Sequence, residues 1–131
     1  MQYTKGFHHV GLKYADLGRS LNFYLGLGLR EVVRWGETGN EIVMLDLGDG
    51  GRIELLPHGG EEFSPNGKWL HFAIAVDDVD ASYEKALSLG AISSRPPRTV
   101  PLDAKPMPIA IRIAFVQGPD GEEIEFFKQV Q

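Results

Sequence analysis

At 131 residues, with 43% apolar and 24% charged side chains, the chain has the size and composition of one ordinary soluble domain able to bury a continuous core. No apolar run approaches a membrane-spanning length, and a formal net charge of −5 with scattered Lys and Arg offers nucleic acid no basic stripe, so neither a membrane nor a nucleic acid is expected as a partner. The absence of cysteine removes disulfides, thiolate metal sites and Cys nucleophiles.

The opening MQYTKGFHHV lacks the charged start, long apolar stretch and small-residue cleavage site of a secretory signal, which makes a cytoplasmic address the expectation. Residues 7–14 alternate between apolar and polar and predict a strand. Asp16 can then cap a helix bearing Leu17, Leu21, Tyr24 and Leu25, with the Gly26 and Gly28 pair as its stop. LREVVRW, EIVMLDL and RIELL follow as three strand-like runs separated by Gly-rich turns. The order is β-α-β-β-β.

The second half repeats this grammar. WLHFAIAV reads as a strand, and Val79 to about Leu89 as a helix with Val79, Tyr83, Ala86 and Leu87 on its apolar face. Gly90 ends that helix, and a short strand near Ala91–Ser93 is expected next. The run 94–108 holds five of the eight prolines and predicts a loop, a lid candidate, or an edge segment unable to donate to a ladder. IAIRIAFV and EIEFFKQ close the chain around a GPDG turn. The expected organisation is a single domain over 1–131, with internal repeats 1–58 and 66–131 joined by a linker 59–65.

The repeat carries chemistry. His9, Asp16 and Gly28 recur sixty-two positions on as His71, Asp78 and Gly90, and each half closes on an Asp-Gly turn, two residues and an Ile-Glu pair, ending at Glu54 and Glu125. Strand alternation puts His9 with Phe7, Gly11 and Lys13, opposite Val10, Leu12 and Tyr14. His8 is therefore expected on the face away from His9. Ile53 and Leu55 flank Glu54, and Ile124 and Phe126 flank Glu125, so all four candidates should point away from the apolar side of their strands. Two imidazoles and two carboxylates without sulfur suit one divalent ion such as Ni(II), Co(II), Zn(II), Mn(II) or Fe(II). Neither a Ser/His/Asp order nor a phosphate-binding Gly loop is present.

HHVGLKYADLGRSLNFYLGLGL, RIELL, LHFAIAVDDVD and FVQGPDGEEIEFF together resemble the vicinal-oxygen-chelate superfamily of glyoxalases, epimerases, extradiol dioxygenases and fosfomycin and bleomycin resistance proteins. The resemblance implies an α+β fold of two βαβββ modules, forming a curved mixed sheet around a metal-containing trough, usually in a homodimer. Residue by residue it assigns His9, Glu54, His71 and Glu125 as metal ligands. The His-Glu-His-Glu set looks most like bacterial glyoxalase I, which favours Ni or Co over Zn, Mn or Fe.

The implied activity is that of a lactoylglutathione lyase, which turns a 2-oxoaldehyde–thiol hemithioacetal into a 2-hydroxyacyl thioester and so detoxifies methylglyoxal. Glu125 is then the first candidate for the proton-transferring base and Glu54 its counterpart. Lys13 and His58 stand where glutathione-using members commonly place Arg and Asn, and Lys lacks the two-pronged grip of Arg on a carboxylate. The thiol is accordingly left open. Trp69 is a further substrate-wall candidate, and Arg98 and Lys105 are candidate anion contacts. An epimerase, a dioxygenase or a non-catalytic small-molecule binding protein are the alternative readings of the same scaffold.

Overall fold

The computed structural model describes residues 7–59 and 71–130 and divides into two units, Met1–Glu61 and Glu62–Gln131. The first contains β1 (His9–Lys13), α1 (Leu17–Leu27), β2 (Arg30–Glu37), β3 (Asn40–Asp46) and β4 (Arg52–Leu56). The second contains β5 (Phe72–Ala75), α2 (Val79–Ser88), β6 (Ile92–Leu102), β7 (Ile109–Gln117) and β8 (Glu123–Gln129). Each is a βαβββ module, and the class is α+β as the sequence predicts. Apart from Gly59, the expected linker 59–65 lies outside the described residues. Among the described residues no helix is long and apolar enough to cross a membrane.

Both sheets are mixed and follow one plan, β1-β4-β3-β2 and β5-β8-β7-β6. The first strand of each module lies parallel to its last, and the other pairings are antiparallel. A parallel pair needs a long crossover, which the helix and the two intervening strands of each module supply.

The helices begin where the Asp residues dictate. The Asp16 side chain accepts from the Arg19 N–H at 3.0 Å and Asp78 does the same for Ala81 at 3.0 Å, each satisfying a donor the helix itself cannot. α1 buries Ser20, Phe23 and Tyr24, and α2 buries Val79, Tyr83 and Ala86, packing on β6, β7 and β8. Leu87, expected on that apolar face, is half-buried. Gly26 does not help stop α1. It sits inside the helix, which ends at Gly28 with φ 109°, where the Gly28 N–H donates to Leu25 and Tyr24 carbonyls. An interior Gly costs a helix only about 1 kcal/mol, whereas a left-handed end favours Gly strongly.

The larger departure is β6. Of the two readings of the Pro-rich run, Ser94–Leu102 takes the edge one, extending the short strand expected near Ala91–Ser93 into a long edge strand paired with β7. Pro96 and Pro97 fall in the bulged span between Arg95 and Arg98, where the register shifts and the ladder asks for no N–H. Only residues 103–108 of the Pro-rich run lie beyond the strand.

Candidate functional site

In the first unit, Gly11 of β1 pairs with Glu54 of β4, and His9 pairs with Arg52. In the second, Ala73 of β5 pairs with Glu125 of β8. Each histidine thus stands two residues before a small residue that faces the glutamate, and the two modules use the same diagonal. His9 Nε2 lies 3.7 Å from Glu54 Oε1, and His71 Nε2 lies 3.2 Å from Glu125 Oε1. The glutamate side chains retain 16% and 11% of their exposure and the histidines 38% and 36%, so each pair opens to solvent through its imidazole.

The small residues leave the room this diagonal needs. A Cβ built on Gly11 would lie 4.0 Å from Glu54 Oε1 and only 3.2 Å from Leu56 Cδ1, so a branched side chain there would crowd the pair. Beneath Glu54, Ile53 and Leu55 are buried, as are Ile124 and Phe126 beneath Glu125. Burial of these apolar neighbours on the opposite face fixes the register, because a one-residue slip would turn each carboxylate into the core.

The donor chemistry fits a divalent cation. Two adjacent ligands held about 2.1 Å from one ion stand roughly 3.0–3.4 Å apart, close to the separations of both pairs. Imidazole nitrogen with carboxylate oxygen, without sulfur, belongs to the Zn, Ni, Co, Mn and Fe(II) range. Each unit brings two of the four predicted ligands together. Among the described residues no cluster of three or more His, Asp or Glu forms.

The other predicted site residues divide. Lys13 ends β1 on the His9 face, and His58 follows β4 in a left-handed conformation with φ 72°. Because β1 and β4 run parallel, both sit toward the same end of the strand pair. Both are exposed. Trp69 lies outside the described residues. Arg98 is exposed on β6, and Lys105 lies 3.8 Å from Asp103.

Three features escaped the sequence. The His8 ring does not turn away from His9: the two Nδ1 atoms are 2.9 Å apart and the rings meet edge to face. Alternation governs residues inside the ladder, and β1 begins only at His9. The Phe115 ring meets the His71 ring edge-on with centroids 5.3 Å apart. Arg95 stacks over the same Phe115 at 5.4 Å. One cross-sheet row therefore joins Ala73, Glu125, Phe115 and Arg95, while the matching row of the first unit reads Gly11, Glu54, Met44 and Val33. Arg95 lay in a stretch read as a loop or an edge segment of unknown register, so only the bulged register of β6 reveals it.

Each half of the chain is thus a βαβββ module that carries one imidazole–carboxylate pair. The family model described as Glyoxalase/Bleomycin resistance protein/Dioxygenase superfamily matches residues 6–126, and the chain belongs to that superfamily. It is 31% identical over 131 residues to Bacillus subtilis YwbC, described as uncharacterized, covering 96% of this chain and 99% of that one. It is 32% identical over 128 residues to a Haemophilus influenzae lactoylglutathione lyase, covering 92% of this chain and 90% of that one. Among solved structures, a V278E mutant of Zea mays glyoxalase I superposes with a TM-score of 0.74 at 26% identity, covering 95% of this chain and 45% of that one.

Proposed function

We propose that the chain is a metal-dependent isomerase of glyoxalase I type, converting the hemithioacetal of a 2-oxoaldehyde and a thiol into a 2-hydroxyacyl thioester. The observation that carries this reading is the repeated diagonal: His9 with Glu54 and His71 with Glu125, in one register and at 3.7 and 3.2 Å. His9, Glu54, His71 and Glu125 would hold one divalent ion, the two pairs meeting either within a chain or across a homodimer. Such an ion would supply Lewis acidity to the substrate's oxygens, with Ni(II) or Co(II) favoured by the resemblance to bacterial glyoxalase I.

Glu125 is the proposed base. Its carboxylate takes the proton from the thiol-bearing carbon and returns it to the neighbouring carbon, so no net oxidation occurs and no group leaves. Phe115 stands beside it in the register row, with the edge of its ring against His71. Lys13, His58 and Arg95 are the groups available to the thiol's polar ends.

The test is turnover of metal-stripped protein reloaded in parallel with Ni(II), Co(II), Zn(II), Mn(II) and Fe(II), on methylglyoxal with glutathione and with other low-molecular-weight thiols. Thioester formation restored by one metal is the expected result, and metal binding without thioester from any thiol would overturn the assignment. Glu125→Gln should lower turnover by a factor on the order of 100 to 10,000 while some metal stays bound. Near-normal turnover in that variant would remove Glu125 as the base.

A second reading draws on the absence of the Arg and Asn that commonly grip glutathione. Lys13 and His58 in their places favour a different oxygen-chelating substrate, handled by another metalloenzyme chemistry of the superfamily. Loss of activity without dioxygen would mark a dioxygenase.

A further inference from the structure

We propose that Arg95 and Arg98 together form a seat for a dianionic group, a phosphate or a pair of carboxylates, on the ligand of the Glu125 site. Residues three apart in a regular strand face opposite sides of the sheet. Arg95 and Arg98 do not. Arg95 pairs with Phe115 and Arg98 with Ile113, and those two β7 residues, two apart in an unbroken ladder with β8, share one face. Pro96 and Pro97 stand where β7 has Ala114 alone, so the bulge turns Arg98 onto the face it would otherwise leave. That face is the one of Glu125, the register partner of Phe115. The two arginines become neighbours there, about 7 Å apart along the strand.

Their charges are left uncompensated. Among the described residues neither guanidinium has a carboxylate within ion-pairing distance, although the chain as a whole carries −5. Arg112 on the opposite face of the sheet shows the contrast, since its Nε and Nη2 both meet Asp80. Both members of the pair are exposed, with Arg95 over the Phe115 ring and Arg98 beside the buried Ile113. A guanidinium is weakly hydrated, and its fork of donors matches the oxygens of a carboxylate or a phosphate two at a time. One such group suits a single carboxylate, and two on neighbouring rows suit an anion of charge two.

The first module has no such pair, because Val33 takes the place of Arg95 in the row of Glu54 and Met44. Arg95 lies two strands from Glu125 in one row, about 10 Å at ordinary strand spacing. A dianionic end held there belongs to a ligand whose charged terminus is several bonds from the carbons on which Glu125 acts. Placing that end on the ligand rests on the proposed function, whereas the anion seat itself does not.

Titration of the metal-stripped full chain with inorganic phosphate, succinate and acetate tests the seat, followed by NMR at the Nε–H signals of Arg95 and Arg98. Stripping the metal leaves the anions no ion to bind instead. Phosphate or succinate should bind at least about 10-fold more tightly than acetate, and Arg95→Ala and Arg98→Ala should each weaken that dianion by about 10-fold. The tighter of the two dianions tells a phosphate terminus from a dicarboxylate one. Acetate bound as tightly as both dianions, or dianion binding unchanged in Arg98→Ala, would overturn the proposal. No turnover enters this measurement, so a chain that seats a dianion yet forms no thioester loses the glyoxalase assignment and keeps the seat. A chain that forms thioester without preferring dianions loses the seat alone.

Discussion

Glu54 and Glu125 occupy matching positions in matching strands, yet their neighbours across the sheet differ. Met44 faces Glu54, whereas Phe115 faces Glu125 and carries the Arg95 guanidinium on its ring. A cation stacked on an aromatic is held in place without being neutralised, so it stays available to an anion. Arg95→Ala should raise KM for a carboxylate-bearing thiol adduct by roughly 10- to 100-fold with kcat little changed, the loss expected for one charge-assisted hydrogen bond. Steady-state kinetics check it, and equal falls in kcat and kcat/KM would place Arg95 in the chemistry instead. The four ligand candidates stand out in the sequence because the histidines recur sixty-two positions apart and each glutamate closes the same Asp-Gly, two-residue, Ile-Glu motif. Arg95 was not, because two bulges shift β6 relative to β7 and no sequence period survives them.

At the scale of elements, α2 is tied to its sheet by polar as well as apolar contacts. Arg112 of β7 donates from Nε and Nη2 to both Asp80 carboxylate oxygens, at 2.6 and 2.7 Å, and from Nη1 to Thr99 of β6 at 3.0 Å. The hydrogen-bonded Arg112 guanidinium holds the Asp80 carboxyl below the usual carboxylate range, and Asp80 in turn raises the Arg112 pKa. A carboxyl whose pKa is lower folded than unfolded adds stability above its unfolded value and loses it as pH falls through the folded value. Asp80→Asn should therefore lower Tm near neutral pH, and the gap from wild type should shrink from about pH 3.9 downward. Thermal unfolding across pH 2–7 checks this, and a gap independent of pH would mean the bridge contributes nothing. Neither partner could be matched from sequence: they lie thirty-two positions apart on a helix and a strand whose alignment depends on how α2 packs. The caps of both helices were legible, because Asp16 and Asp78 act on residues only three positions away.

The whole molecule is one module written twice, and each copy holds half of the proposed ligand set. Two donors are fewer than a stable divalent site uses. Replacing either pair, His9→Ala with Glu54→Ala or His71→Ala with Glu125→Ala, should abolish stoichiometric metal binding, and calorimetric titration of both double variants checks it. A variant that bound metal at full stoichiometry would show that one pair suffices. The fold class was readable at this scale because the β-α-β-β-β order, its turns and its caps are all local signals. The pairing of first strand with last is not local, and the structure alone gives it.

The outer strand β6 also bears on how the molecule behaves in a crowded solution. An unpaired strand edge is a template on which another chain can lengthen the sheet, the first step toward β-aggregation. Pro96, Pro97 and Pro101 remove three N–H groups from this eleven-residue strand, and two bulges bend it out of flatness. A chain laid against that edge would find gaps in its ladder, so the proline-rich run, whatever else it does, guards the sheet against growing outward.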